Sequence, residues 1–454
     1  MTTIRGFRLR SNRSALTLAL GLLAGLGVWC WRQIRLLGDV RVVLAAFYGW
    51  FALAFLAYLA ALWLVRRMEQ DGARARQRAL WLGMILLTAI ACRLAVLGAT
   101  PTLSDDIYRY RWDGRVQLAG IDPYRYAPDD PALAALRDGE FGRINFPHLR
   151  TIYPPLTELA FRLGASLGGT LTAHKTVFVC AEAVTVLSLL FILRRRGRSL
   201  LWIAAYAWHP LAILEIAGSG HNDALGVAML WLGLAAWEAR RMGGTALAWT
   251  GAFLSKFLSI ILAPWWWYRR QGRRWLAAFL VLSALLLAFH WGVVQALLES
   301  LSAMAARGVS NGSVYPLVVR LIGSWRVAPL VVIGCWAGFL VWWAAREADP
   351  VRYLFGAFAV AALLAPALHP WYPLWLIPCF CFWRVPAFLA LTGTVVLCYT
   401  VWTKYLAVGA WELPVWARLL EYGPVLIFGM WEVRRCGWRS SFRPVTKPSL
   451  LAKS

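Results

Sequence analysis

The chain has 454 residues, 60% of them hydrophobic and 15% charged, and carries a formal charge of +25. Soluble domains average about 25% charged and about 45–50% apolar residues, so a water-soluble enzyme, a disordered chain and a collagen-like fibre are excluded. The basic residues fall in short clusters between apolar runs, as at Arg194, Arg195, Arg196 and Arg198, which fits loops facing anionic lipid and not a nucleic-acid groove.

A basic N-terminus (Arg5, Arg8, Arg10, Arg13) precedes the first apolar run, residues 15–31. No small-residue cleavage site follows it, so it reads as a retained span and not a signal peptide. Further runs cover 42–65, 80–97, 171–193, 200–217 and 224–237, then 275–294, 327–345, 353–368, 371–382, 385–401 and 414–431. A span needs about 20 apolar residues. Several runs are shorter, so they must tilt or share boundaries. Residues 243–268 are flanked by Arg240 and Arg241 before and by Arg269 and Arg270 after. A pair of short helices that dips in and returns fits this, broken near Lys256 and Pro264.

The expected fold is an all-α integral membrane bundle, one polytopic domain over residues 1–454. It has about twelve transmembrane helices, a re-entrant pair and amphipathic helices in external loops. The Lys and Arg bias of the loops puts both termini in the cytoplasm, with a basic tail at 432–454. The longest loop, 98–170, then lies outside. So do 218–223, 295–326, the turn at His369 and 404–418. Polar and aromatic residues gather on this face, so the chemistry is expected there. The eight Cys form no C-x-x-C pair and read as free thiols.

The external loop opens Leu103-Ser104-Asp105-Asp106-Ile107-Tyr108-Arg109-Tyr110-Arg111-Trp112-Asp113-Gly114-Arg115. Ser104 can cap a helix whose first turn holds the two acids, where the helix dipole favours negative charge. On that helix Asp105 and Arg109 are four apart, as are Arg109 and Asp113, and Arg111 and Arg115. Such a helix holds a carboxylate beside cations, which suits a general base next to an anionic leaving group. Gly120-Ile121-Asp122-Pro123-Tyr124 and Tyr153-Pro154-Pro155-Leu156 follow. Later come His209-Pro210-Leu211, then Gly218-Ser219-Gly220-His221-Asn222-Asp223, and finally His369-Pro370-Trp371-Tyr372 with Trp375 and Pro378.

These blocks, in this order, resemble the GT-C glycosyltransferases, and are most similar to the bacterial polyprenyl-phosphate-mannose-dependent mannosyltransferases. The resemblance covers about residues 103–378. The acidic loop here follows the third apolar run, not the first, and His209 stands where Asn is common. The resemblance implies an enzyme of the bacterial cytoplasmic membrane that takes a sugar, mannose here, from a polyprenyl-phosphate donor. The acceptor is a glycolipid or glycan outside the cytoplasm. An aspartate of the first loop deprotonates the acceptor hydroxyl, which attacks the anomeric carbon with inversion. Asp105 or Asp106 is then the base. Arg109, Arg111 and Arg115 are candidates for phosphate contact, and Lys256 for the lipid phosphate. Tyr153, His221, Asn222, Asp223, His369, Trp371 and Tyr372 are candidates for the sugar or the lipid groove. No metal ligand set is assigned, though the two adjacent acids, or Asp105 with Asp223, could hold Mg2+ or Mn2+.

Plainer readings stand beside these. Lys256 snorkels to the interface. Glu182 and Glu215 hydrogen-bond between helices. His290 is a satisfied core residue. Trp265, Trp266, Trp267 and Tyr268 form an interfacial aromatic belt. Asp129, Asp130, Asp138 and Glu140 are a solvated face, and Tyr153-Pro154-Pro155 sets the start of a helix. The rival function is a polytopic transporter or flippase of a polyprenyl-linked sugar or other lipid.

Overall fold

The computed structural model describes residues 13–269, 272–288, 294–295, 298–299, 311–440 and 443–444. His290, the basic residues Arg5, Arg8 and Arg10, and most of the tail lie outside the described residues, as does part of the expected 295–326 loop. Most of the described chain is helical; a two-residue antiparallel pairing joins Trp383–Arg384 to Arg443–Pro444.

Among the described residues, six helices are long and apolar enough to cross a membrane. They are α1 (Arg13–Leu36), α2 (Leu44–Gln70), α3 (Ala75–Leu97), α6 (Leu171–Arg195), Ala328–Arg346 and Pro386–Val408. A seventh crossing results if the bent pair Leu200–Ala207 and Pro210–Gly218 is one span, with 55° between its halves. The bend falls at His209-Pro210, where proline removes a backbone donor and crowds the preceding turn. About twelve crossings were expected from the sequence. Several of the other apolar runs form helices too short for that test, such as Asp223–Glu238 (16 residues) and Pro350–Leu364 (15 residues).

The helices are locked by buried polar pairs as well as by apolar packing. Arg93 on α3 grips Glu182 on α6 through two bonds of 2.6 and 2.5 Å and also donates to the carbonyls of Ala89 and Ala207. A buried ion pair is tolerated only when its remaining donors are satisfied in this way. Gly233 lets Asp223–Glu238 close on Met242–Lys256: a Cβ there would lie 2.2 Å from Trp249. The chain breaks after Lys256, where Phe257 takes a left-handed φ of 57°. A short turn of helix, Ala263–Trp267, follows. It carries Trp265 and Trp266 into a cluster with Trp237 and Trp249, where both are fully buried. Only Trp267 and Tyr268 of the expected aromatic belt are exposed.

Between α3 and α6 lies the polar segment that shapes the site. It holds α4 (Asp106–Leu118), two single helical turns (Pro131–Leu136 and Phe141–Arg143) and α5 (Pro155–Ser166). Pro155 occupies the first position of α5, where its missing N–H is not needed. Gly114 brings α4 against α5, since a Cβ there would sit 2.4 Å from the Phe161 carbonyl. Asp113 and Glu158 are buried beside Arg109, and burial pushes both carboxyls up.

Candidate active site

The start of α4 opens onto a cavity of about 1350 Å³. Its walls come from distant parts of the chain: the α1–α2 connection with Asp39 and Arg41, the first turns of α4, the 143–153 segment, Lys256, the His369–Tyr372 turn and Tyr399–Trp402. Asp105 and Asp106 both line it. Ser104 Oγ accepts the Asp106 N–H at 3.4 Å, but the cap position falls one residue later than expected, on Asp105, so only Asp106 lies in the first turn.

The two acids have different neighbours. Asp106 accepts a 2.8 Å bond from Asn145 Nδ2, and its other oxygen lies 3.7 Å from His221 Nδ1. The Asp105 carboxylate finds no hydrogen-bond or ion-pair partner among the described residues, though its backbone carbonyl accepts the Tyr108 N–H. Burial pushes its carboxyl up, while the charge of Arg41 pulls it down and that of Asp106 raises it again. Arg41 is held by Asp39, with bonds of 2.9 and 2.8 Å, and covers the Trp402 ring at 5.1 Å. Arg143 donates to Tyr108 Oη at 2.5 Å.

The Gly218–Asp223 segment lies directly behind this wall. Gly220 has φ +81°, and a Cβ on it would strike Ile107 of α4 at 2.7 Å and Lys175 of α6 at 2.8 Å, so only glycine lets the segment pass this close. His221, Asn222 and Asp223 are buried and do not line the cavity. Lys256 does, and it joins them to it: Nζ lies 2.5 Å from Asp223 Oδ2 and 3.0 Å from Asn222 Oδ1. Trp375 Nε1 donates to the other oxygen of Asp223 at 2.8 Å. His221 stacks on Trp371 at 4.0 Å, and Trp371 on His369 at 4.6 Å. Burial pushes His369 down to about 4, so it is neutral near pH 7.

Three sequence blocks therefore meet at the first turn of α4. The arginines separate. Arg109 lines the cavity, held by both oxygens of Asp113 at 2.9 Å and by the Leu149 carbonyl; its Nη2 is buried without a partner. Arg111 and Arg115 are not in the cavity wall. Both reach Asp138, at 2.9 and 2.7 Å, and bond the carbonyls of Gly169 and Leu136. They tie the loop together, and Asp138 is a partner of α4 and not only a solvated face. Tyr153 lines the cavity and packs on Tyr110 and Phe161. Arg41, Arg143 and Asn145 were missed by sequence reasoning. Arg41 looks like an ordinary basic flank of an apolar run, and the other two lie in an unpatterned loop.

Asp223 spends both carboxylate oxygens on Lys256 and Trp375, which leaves the Asp105–Asp223 pair ill suited to Mg2+ or Mn2+. No group of three His, Cys, Asp or Glu placed to hold a metal occurs among the described residues.

Residues 15–270 match the family described as "Alpha-(1->6)-mannopyranosyltransferase, N-terminal domain". The chain is 26% identical over 341 residues to alpha-(1->6)-mannopyranosyltransferase A of Mycobacterium tuberculosis, a match spanning 63% of each chain. It is 24% identical over 444 residues to a probable alpha-(1->6)-mannopyranosyltransferase of Mycolicibacterium smegmatis, covering 80% of this chain and 76% of that one. It is also 24% identical over 352 residues to alpha-(1->6)-mannopyranosyltransferase A of Corynebacterium glutamicum, covering 64% and 69%. No solved structure matches the chain.

Proposed function

The chain belongs to the alpha-(1->6)-mannopyranosyltransferase family, and from that membership we propose that it transfers mannose from a polyprenyl-phosphate donor to a glycan or glycolipid hydroxyl. Asp106 is the general base in this reading. The observation that carries it is the meeting, in one cavity, of an anchored carboxylate with the guanidinium groups of Arg41, Arg109 and Arg143, of which Arg109 Nη2 is unpaired. The acceptor O–H gives its proton to Asp106, and the oxygen attacks the anomeric carbon. The bond from that carbon to the phosphate oxygen breaks, and the electron pair leaves with the lipid phosphate. Inversion of a β-linked donor would give the α linkage that the relatives' names carry.

Holding base, acceptor and donor in one geometry is worth several orders of magnitude, and cations facing the leaving phosphate add to it. The phosphate role expected of Arg111 and Arg115 passes here to Arg41 and Arg143, with the unpaired Nη2 of Arg109. Tyr153, Lys256, His369, Trp371 and Tyr372 line the sugar and the neck of the lipid groove. The cavity faces outward, both termini are cytoplasmic, and the shorter apolar helices complete about twelve crossings with a re-entrant pair broken at Phe257.

The test supplies wild-type protein in liposomes with radiolabelled polyprenyl-phosphate-mannose or nucleotide-linked mannose and extracted membrane glycolipid. Label should move from the polyprenyl donor alone. If it stays on that donor while wild type carries the lipid across the bilayer, the protein is a flippase and the transferase reading fails.

A further inference from the structure

His221 sits between two carboxylates, both of them within its reach. Nδ1 lies 3.7 Å from Asp106 Oδ2, and Nε2 lies 3.3 Å from Glu215 Oε2. His221 is 1% exposed and Glu215 0%. Both ring nitrogens and Glu215 Oε2 are buried without a hydrogen bond, an arrangement that costs free energy unless it is used. Glu215 is held from the other side, where Tyr399 Oη donates to Oε1 at 2.8 Å. The ring plane of His221 is fixed by Trp371, and its backbone N–H donates to the Glu215 carbonyl at 2.9 Å. Asp106, Trp371 and Tyr399 line the cavity, while His221 and Glu215 lie behind its wall.

From this series we infer that His221 is a positioning residue that receives, through Asp106, the proton taken from the acceptor, with Glu215 stabilising the charge it gains. The inference rests on the reading of Asp106 as the base. The proton passes from the acceptor hydroxyl to Asp106 and from Asp106 Oδ2 to Nδ1 of neutral His221. Nε2–H then points at Glu215, and the imidazolium lies between two carboxylates. Asp106 is again ionised, and the proton returns to the cavity by the same route after the products leave. The logic is that of a base whose proton acceptor is oriented by a second acid. Contacts of this kind are long before substrate is bound and tighten with it. The stacking of His221 on Trp371 explains why the segment, otherwise built of Gly and Ser, carries an imidazole here.

The groups facing His221 are Asp106 from α4, Glu215 from its own segment and Trp371 with His369 behind it. Asp223 adjoins it in sequence, with Lys256 beyond. Two acids flank the ring directly, at 3.7 and 3.3 Å, so the imidazolium formed in the relay is held from both sides.

The test measures kcat and donor KM against pH for His221→Gln, Glu215→Gln and Asp106→Asn, with thermal unfolding as the check on folding. His221→Gln should lower kcat about 10²–10⁴-fold, leave KM within about threefold, and move the acid limb to lower pH. Glu215→Gln should move the limb the same way with a smaller loss, and it carries the test should His221→Gln not fold. An unmoved acid limb in the folded variants, with kcat and KM changing together, would overturn the relay and leave His221 a packing residue. Asp106→Asn separates the two readings: if it is inactive, an unmoved limb defeats the relay alone, whereas a fully active Asp106→Asn defeats the base and the relay with it.

Discussion

At the residue scale, Lys256 illustrates how a bland and a functional role coincide. It lines the cavity while its ammonium pairs with Asp223, which is wholly buried. Removing the ammonium leaves that carboxylate without its cation, which typically costs about 3–5 kcal/mol. Lys256→Met should therefore lower the unfolding temperature strongly, and Asp223→Asn in the same chain should recover much of the loss; an unfolding temperature unchanged in Lys256→Met would show the pair to be unimportant. His369 makes a pH prediction. Burial pushes its folded value down to about 4, below the ordinary value near 6.5. A depressed value gives stability that is present above about 6.5 and lost as the pH falls through about 4. His369→Gln should flatten that part of the unfolding curve. It should leave the acid limb of activity in place, because His369 is already neutral where the enzyme works.

At the scale of elements, the first turn of α4 was legible and its environment was not. Ser104 followed by two acids marks a helix start from local chemistry alone, and the helix begins at Asp106. Four-residue spacing predicted Arg109 beside Asp113, and the pair forms with two bonds. The same spacing put Arg111 and Arg115 on one face. It could not say that this face turns to Asp138 and away from the cavity, because that depends on how the 131–143 turns fold back. Arg41 and Asn145 reach the site from sequence positions far to either side of the motif, so no local pattern announces them. The α4–α5 contact rests on Gly114. Gly114→Ala forces a methyl against the Phe161 carbonyl and should destabilise by about 1–3 kcal/mol. Because α4 carries Asp106 and starts from Asp105, kcat should fall with it, whereas Gly139→Ala, which meets open space, should change neither; equal stability of the two variants would refute the close-packing account.

At the scale of the whole molecule, composition and apolar runs were enough for an all-helical membrane protein. They were not enough for the number of crossings. A run of apolar residues marks burial, and burial here is shared between lipid and protein. Trp265 and Trp266 show the point, since the aromatic belt expected of them is partly a protein core. The motif blocks were spread over residues 103–378 with nothing in the chain to say that they touch. The fold joins them because Gly220 lets the His221 segment press on α4 and α6, and because Trp371 stacks on His221 from the far end of the sequence. Asp106, the proposed base, lies at this junction. The most direct test is single-turnover mannosyl transfer from polyprenyl-phosphate-mannose by Asp106→Asn and Asp105→Asn in liposomes, with folding verified. Asp106→Asn should lose about 10²–10⁴-fold, the usual worth of a general base, and Asp105→Asn less. Full activity in Asp106→Asn, with the loss confined to Asp105→Asn, would contradict that role for Asp106.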